Sequence, residues 1–317
     1  MSLLLFEMAR GHQNDGAKSA TGKYGTIAPG TFLGLNRPEG IQKIPVHIYT
    51  LNVGQGQFVV VVGQSQAVIV DTFVPLNPTQ EIIHVKAALA HILANRALVG
   101  LMITGFDADH FNVVGLNIIL NKYRPNWLMY PSYRKESANA SECFREISKY
   151  SAKTQILKVP VNLSDTDKRF YSQLSSEFDF EVFSPHGEDM TSSNNSSLVC
   201  KIREYGTGAR YLVTGDTEGA RWDSIVRFFG GSLKVDVLAA PHHGSANGIT
   251  EQALRHIAPH TTLISAGVNN PYGHPAASAV RLFQSYSTKL FQTNVGRGQS
   301  IETVVSAAGV TNHLFRC

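Results

Sequence analysis

The sequence predicts an α/β protein in which two β-sheets pack face to face and helices cover their outer faces. Two observations lead to this fold class. Three apolar segments of strand length form a β-meander, and after it helices and strands alternate through two successive halves of the chain. With 317 residues, 43% of them hydrophobic, the chain is long enough to bury one large core.

The first half supplies the meander and several alternating elements. Residues 46–53 alternate between apolar and polar side chains, and residues 58–62 and 67–70 are apolar runs bounded by turns. Apolar residues at helical spacing predict a helix over 81–95. The pattern then predicts a strand at 98–103, a helix at 112–121, a strand at 127–130, a helix at 141–150, and strands at 155–159 and 180–183.

The second half repeats this alternation. It predicts a hairpin of 198–204 and 211–214, a helix at 219–229, a strand at 235–240, a helix at 250–257, a strand at 261–266, a helix at 276–286, and strands near Leu290, Ile301 and Asn312. Residues 11–45 are rich in Gly, Lys, Ser and Pro without periodicity. We therefore expect residues 1–45 to be an extended, partly ordered lead-in and residues 46–317 to form the folded domain.

Composition bounds the compartment and the partners. The three cysteines are scattered, with no CxxC pair, so neither a disulfide framework nor a cysteine zinc site is predicted. The first apolar run is too short for a signal peptide, and no run approaches the roughly 20 apolar residues of a membrane span. We expect a cytoplasmic protein that does not enter a membrane. The net charge of +4 does not select a partner, and the sequence does not predict an oligomeric state.

Acidic and imidazole side chains follow the predicted strands at the points where these end. Asp71, the segment Thr104-Gly-Phe-Asp-Ala-Asp-His110, Asp216 and the pair His242 and His243 all occupy such positions. Because the carboxyl ends of neighbouring parallel strands meet at one edge, we expect one site there. Carboxylate and imidazole together are typical ligands of zinc, manganese or iron. The alternative, a solvated turn that caps a helix, fits one such segment better than several of them.

The order of these motifs resembles the metallo-β-lactamase superfamily. Val-Asp71-Thr, the segment ending at His110, Thr-Gly-Asp216 and Pro-His-His-Gly-Ser245 carry the resemblance. More narrowly, Leu51-Asn-Val-Gly-Gln-Gly56, Asn194-Asn-Ser-Ser-Leu-Val199 and Asn269-Asn-Pro-Tyr-Gly-His-Pro275 resemble the carboxy-terminal domain of the ComEC-type DNA-uptake proteins. From about residue 46 onward, the resemblance implies a four-layer αββα sandwich of two mixed sheets, with metal at the edge between them. The sequence lacks the ComEC membrane channel, which implies a free-standing ComEC-like protein.

The resemblance also assigns the ligands. The family pattern His-x-(His or Asp)-x-Asp-His falls on Gly105, Asp107, Asp109 and His110, so its first ligand is missing. The resemblance implies that one zinc or manganese ion is held by Asp109, His110, Asp216 and His243. A second metal position would be weak or absent.

Other residues of these motifs receive supporting roles. Asp107 is expected to orient or deprotonate water, and His242 to protonate the leaving group. Asp71 is expected to hold the metal loop by hydrogen bonds. His274, Asn195 and Ser197 are expected to contact substrate; the alternatives are a surface histidine and a plain polar turn.

A hydrolase follows from such a site, because a divalent ion makes hydroxide available near neutral pH and polarises a phosphoryl or acyl oxygen. The ComEC resemblance favours a phosphodiesterase or nuclease, with DNA, RNA or a nucleotide-type phosphoester as its partner. A small basic and aromatic patch agrees with this: Lys122, Arg124, Tyr133, Arg134 and Lys135. Two alternatives stay open. One is hydrolysis of a lactone, thioester or nucleotide, and the other is a degenerate fold that binds without turnover, because of Gly105.

Overall fold

Strands and helices alternate along the computed structural model, which describes residues 43–75, 79–133, 135–164, 166–187 and 192–316. In chain order the elements are β1 (Val46–Thr50), β2 (Val59–Val62), β3 (Gln66–Val70), α1 (Thr79–Ile92), β4 (Ala97–Met102), α2 (Val113–Lys122), β5 (Trp127–Pro131), α3 (Ala138–Ser151), β6 (Leu157–Val161), β7 (Arg169–Phe170), β8 (Phe178–Ser184), β9 (Val199–Glu204), β10 (Arg210–Val213), α4 (Gly219–Phe229), β11 (Val237–Ala239), α5 (Glu251–Ile257), β12 (Thr261–Ile264), α6 (Ala277–Tyr286), β13 (Lys289–Gln292), β14 (Ser300–Ser306) and β15 (Gly309–Phe315).

The strands form two mixed sheets. The first has eight strands in the order β15-β14-β1-β2-β3-β4-β5-β6, and the second has seven in the order β13-β12-β11-β10-β9-β8-β7. In the first sheet, strands β3 to β6 are parallel and the others antiparallel. In the second sheet, strands β10 to β13 are parallel and the others antiparallel.

One apolar cluster lies between the two sheets. It contains Val59 and Val61 of β2 from the first sheet, together with Phe180 of β8 and Val213 of β10 from the second. Since successive side chains of a strand point to opposite faces, the residues between them point away from this cluster. The two sheets therefore pack face to face.

The outer faces of both sheets are covered by helices. Val60 of β2 faces a cluster that includes Leu89 of α1, Leu116 of α2 and Ile147 of α3. The second sheet is covered in the same way by α4, α5 and α6, in a cluster that joins Leu212, Leu238, Ile225, Leu254 and Phe283. The layers are thus α, β, β and α, and the predicted fold class is confirmed.

Parallel strands determine where the polar loops meet. In the first sheet β3, β4 and β5 are neighbours and run in the same direction, as do β10, β11 and β12 in the second. The loops that follow these strands therefore leave each sheet at one edge. These loops contain Asp71, the segment 103–110, Asp216 and the histidine pair.

The predicted elements are present, with boundaries that differ by a few residues. Strand β1 ends at Thr50 rather than at residue 53, and helix α3 begins three residues early because the Ser137 side chain caps it by accepting a hydrogen bond from Ala140 N at 3.1 Å. Strand β7 was not predicted, since its two residues are both exposed and have no alternation.

The described residues from 43 onward belong to one compact unit. The predicted lead-in, residues 1–45, lies outside the described residues except for its last three positions. Along the described ranges, we find no helix with the length and apolar character that crossing a bilayer requires.

Candidate metal centre

Four side chains from three loops meet between the ends of the two sheets. Asp109 and His110 come from the loop after β4, Asp216 from the loop after β10, and His243 from the loop after β11. One ligand atom of each lies within 4.8 Å of the others. His110, Asp216 and His243 are buried, and Asp109 is partly exposed. The structure therefore brings together the four residues that the sequence assigns to one metal.

His110 is held by carboxylates on both sides of its ring. Its Nδ1 lies 2.8 Å from Asp71 Oδ2, and its Nε2 lies 2.9 Å from Asp216 Oδ1. Asp71 also accepts hydrogen bonds from Thr104 N and Thr104 Oγ1, both at 2.7 Å. A neutral His110 donates its Nδ1–H to Asp71 in a hydrogen bond, and its Nε2 lone pair then faces the other metal-ligand atoms. Metal-binding histidines use this arrangement.

His243 supplies the fourth donor in the same orientation. Its Nδ1 lies 2.8 Å from the backbone oxygen of Ser265, which can only accept, so Nδ1 carries the proton. Its Nε2 is buried and makes no well-aligned hydrogen bond with any described residue, although it lies 3.4 Å from Asp109 Oδ2 and 3.7 Å from Asp216 Oδ1. Tetrahedral ligands with bonds of about 2.1 Å are separated by about 3.4 Å. A buried nitrogen lone pair at this spacing from two carboxylates fits a metal ion such as zinc or manganese.

The charged groups of the centre shift one another's pKa values. Burial lowers the pKa of His110, but the charges of Asp216 and Asp71 outweigh it and raise that pKa well above its usual range. Burial likewise lowers the pKa of His243, and contact with Asp109 together with the charge of Asp216 raises it overall. Burial raises the pKa of Asp216, but the charges of the histidines outweigh burial and keep that pKa below its ordinary value. The cluster favours a cation at its centre, and a proton and a metal compete for the same nitrogens.

Backbone strain is concentrated in this region. Asp71, His242 and His243 have φ values of 59°, 50° and 53°, in the left-handed region that residues other than glycine rarely adopt. Each such conformation costs on the order of 1–3 kcal/mol and persists when its surroundings impose it. Packing and hydrogen bonds at the sheet edge therefore hold these three side chains in place.

Asp107 lies outside the group of four donors. One of its oxygens accepts from the Lys135 ammonium, and the other accepts from Ser193 Oγ at 2.5 Å. Gly105 leaves open space where the predicted first ligand is missing, because a Cβ built there would have Ser197 Oγ at 3.9 Å as its nearest neighbour. Asp107 is thus neutralised by an ammonium group.

His242 and His274 form a pair beside the four donors. Their ring centroids are 5.4 Å apart, and burial together with the charge of His242 lowers the pKa of His274. The Nδ1 atom of His242 lies 3.5 Å from Glu218 Oε1 and has no hydrogen-bond partner among the residues that the structure describes. His242 is therefore not one of the four donors, and its ring lies next to His274 and Glu218.

The two predicted substrate contacts of the 192–197 turn are engaged with the Asp216 loop. Ser197 is buried and its Oγ accepts from Asp216 N at 3.0 Å. Asn195 Oδ1 accepts from Glu218 N at 3.1 Å. Both side chains thus position the loop that carries Asp216.

Three residues of the site were missed by the sequence reasoning or were given another role. Glu218, two residues after Asp216, is bound by Asn194 Nδ2 at 2.8 Å. Ser193 belongs to the same turn but precedes the recognised motif, and Lys135 was assigned only to a basic patch. Acidic residues close to a predicted ligand are a signal that could have identified Glu218.

Comparisons with known proteins give sequence relatives but no family model that matches the chain. The chain is 37% identical over 118 residues to ComE operon protein 3 of Bacillus subtilis. The aligned segment covers 37% of this chain and 15% of that protein. It is 32% identical over 117 residues to competence protein ComA of Neisseria gonorrhoeae, and the aligned segment covers 37% of this chain and 17% of that protein. The similarity spans less than a fifth of each relative's length.

A search of solved structures finds the metallo-beta-lactamase fold protein YhfI from Bacillus subtilis. The TM-score is 0.44 at 8% identity, over 80% of this chain and 98% of that one. A likeness of this strength says nothing about activity or substrate. The chain has the four-layer αββα architecture that its motifs predict, with two facing mixed sheets and helices outside, and it is similar in sequence to competence proteins.

Proposed function

We propose that this chain is a metal-dependent phosphodiesterase that cleaves DNA or RNA, with one zinc or manganese ion held by Asp109, His110, Asp216 and His243. The observation that carries the proposal is the buried Nε2 of His243, which makes no well-aligned hydrogen bond within the described part of the chain and lies within 4.8 Å of three further ligand atoms. Two carboxylates and two imidazoles match the preferences of these ions. A divalent ion supplies a water of lowered pKa and a Lewis acid for a phosphoryl oxygen.

The residues of the chain divide the remaining tasks. Asp71 and the Ser265 carbonyl hold the tautomers in which the two imidazoles offer their Nε2 atoms. His242, whose side chain is about a fifth exposed, is the group we assign to protonate the leaving oxygen. Both oxygens of Asp107 already accept a bond, which favours a positioning role for it over proton abstraction.

The choice of a phosphodiester substrate rests on two features. The relatives named above include a competence protein and a product of a competence-type operon, and DNA is the substrate suggested by the ComEC resemblance. Beside the centre lies the ammonium of Lys135, whose side chain is about a third exposed, and an ammonium of this kind can bind an anionic substrate. A nucleic acid is therefore the partner that we propose.

The test is cleavage by purified protein loaded with Mn²⁺ or Zn²⁺. Substrates are single-stranded DNA, duplex DNA, RNA and bis(p-nitrophenyl) phosphate, with a lactone and a thioester as competing ester classes. Asp109→Ala and Asp216→Ala should bind less metal and lose turnover, whereas Glu142→Ala, at an exposed position on α3, should retain both. Turnover of only the lactone or the thioester would show that the protein hydrolyses another class of ester and is not a phosphodiesterase.

A second candidate is binding of a nucleic acid or nucleotide without turnover, and Gly105 is the observation that favours it. The position that the family pattern gives to a histidine has no side chain here. Wild-type protein that takes up metal and binds DNA, yet is as inactive as Asp109→Ala toward every substrate, would support this candidate over the enzyme.

A further inference from the structure

The loop after β5 places a lysine beside the loop after β4. Strands β4 and β5 are parallel neighbours, with Met102 opposite Met129, so their following loops leave the sheet side by side. The second of these loops contains Tyr133 and Lys135. Tyr133 contacts Phe106 N and Ser193 Oγ at 3.4 Å, which ties this loop to the metal loop and to the 192–197 turn.

Lys135 reaches Asp107 from this loop. Its ammonium donates to Asp107 Oδ1 and lies 3.4 Å from Ser193 Oγ, which itself donates to the other oxygen of Asp107. An ammonium has three N–H groups, so one remains after these two contacts. The Lys135 side chain is 31% exposed, so it is not sealed in the interior.

The ammonium lies within the electrostatic field of the metal centre. Burial lowers the pKa of Lys135, and the charge of Asp216 acts in the opposite direction. Two residues before Asp107, Gly105 offers no side-chain donor atom. Among the described residues, no group of potential metal ligands includes Asp107, and the Lys135 ammonium balances its charge.

We propose that the Lys135 ammonium takes the place of a second metal ion: it neutralises Asp107 and uses its free N–H to bind a phosphate oxygen of the substrate. The site then operates with one metal and one protein cation. This inference rests on the proposed function for the identity of the substrate, but its two physical consequences can be measured without turnover. They are the number of metal ions bound and the affinity for phosphate.

The experiment compares wild type with Lys135→Met, Lys135→Arg and the surface control Lys86→Met, each loaded with Mn²⁺ and titrated with inorganic phosphate by calorimetry. Loss of one charge-assisted hydrogen bond should weaken phosphate binding about 10-fold or more in Lys135→Met. Lys135→Arg keeps the charge and should restore most of the affinity, which a purely structural role would not explain. Lys86→Met, at an exposed position on α1, should have no effect.

Metal counting gives the second readout. Wild type should bind one Mn²⁺ per chain, while Lys135→Met should bind a second, weaker ion through the released Asp107 carboxylate. The double variant Lys135→Met/Asp107→Asn should lose that second ion again. Two ions in wild type, or equal phosphate affinity in wild type and Lys135→Met, would overturn the inference. A wild type that binds one metal and phosphate as expected but cleaves nothing would instead contradict only the proposed function.

Discussion

Asp71 and His110 are joined by a hydrogen bond of 2.8 Å between Oδ2 and Nδ1, deep in the core, where both residues are at most 1% exposed. The same carboxylate accepts two further hydrogen bonds from Thr104, at the end of the strand that precedes His110. One buried anion thus connects the end of β3 with the loop after β4. It also selects the His110 tautomer that offers Nε2 to the metal centre.

Replacing Asp71 by Asn should therefore weaken metal binding although Asp71 is not itself a ligand. The amide keeps the shape but removes the negative charge that His110 Nδ1–H requires. We expect a loss of about 10- to 100-fold in affinity, measured by competition of Zn²⁺ or Mn²⁺ with a chelator. Asp236→Asn, which removes a carboxylate paired with Arg210 at 2.9 Å, serves as the control and should bind metal as wild type does. Unchanged affinity in Asp71→Asn would remove the role assigned to this hydrogen bond.

The adjacent residues His242 and His243 should have different functions. His243→Ala should lose stoichiometric metal, because its Nε2 is the buried donor at the centre. His242→Ala should keep the metal and lose turnover, since its ring faces His274 and Glu218 instead. Both residues have φ near 50°, so the backbone cost of alanine is matched between the variants. Metal analysis and phosphodiester turnover are measured on both, and loss of metal from His242→Ala would refute the division.

The sequence was sufficient for the layers and for the positions of the four donors, for a physical reason. Apolar runs locate strands, and parallel neighbours bring their following loops to one edge, so the polar loops could be grouped before any coordinates. The family resemblance then singled out Asp109, His110, Asp216 and His243 within them. The interactions of Asp107 could not be predicted in this way. They depend on how the loops with Lys135 and Ser193 turn back onto the site, and no hydrophobic period encodes the direction of a loop side chain. The two-residue strand β7 was not predicted for a similar reason, because its residues are exposed.

Gly115 should not tolerate a side chain. A Cβ at this position of α2 would lie 1.7 Å from the backbone oxygen of Thr72, the residue after Asp71. Alanine favours helix by up to about 1 kcal/mol over glycine, but the clash with rigid backbone should dominate and destabilise the fold by about 1–3 kcal/mol. The measurement is the free energy of unfolding in urea. Gly231→Ala, which meets no atom within 4 Å, should change it by less than about 0.5 kcal/mol; equal stabilities of the two variants would contradict this packing.

Glu302 should make the stability of the first sheet depend on pH. On β14 it accepts hydrogen bonds from His47 at 2.7 Å and Tyr49 at 2.8 Å on the neighbouring β1. Burial raises its pKa, but these hydrogen bonds and the charge of His47 outweigh burial and lower it overall. Because the pKa is lower in the folded than in the unfolded chain, the carboxylate stabilises the fold above its unfolded pKa of about 4.3, and this contribution disappears as pH falls through the folded value.

We therefore expect Glu302→Gln to lower the free energy of unfolding by about 0.5–1 kcal/mol at pH 7, since the pair is about a quarter exposed. The difference from wild type should shrink as pH falls below 4. Glu142→Gln, at an exposed pair with Arg145, should show almost no difference at either pH. Urea unfolding of the three proteins between pH 3 and 7 provides the measurement. A gap between Glu302→Gln and wild type that stays constant over this range would mean that packing of the side chain, and not its charge, links β14 to β1.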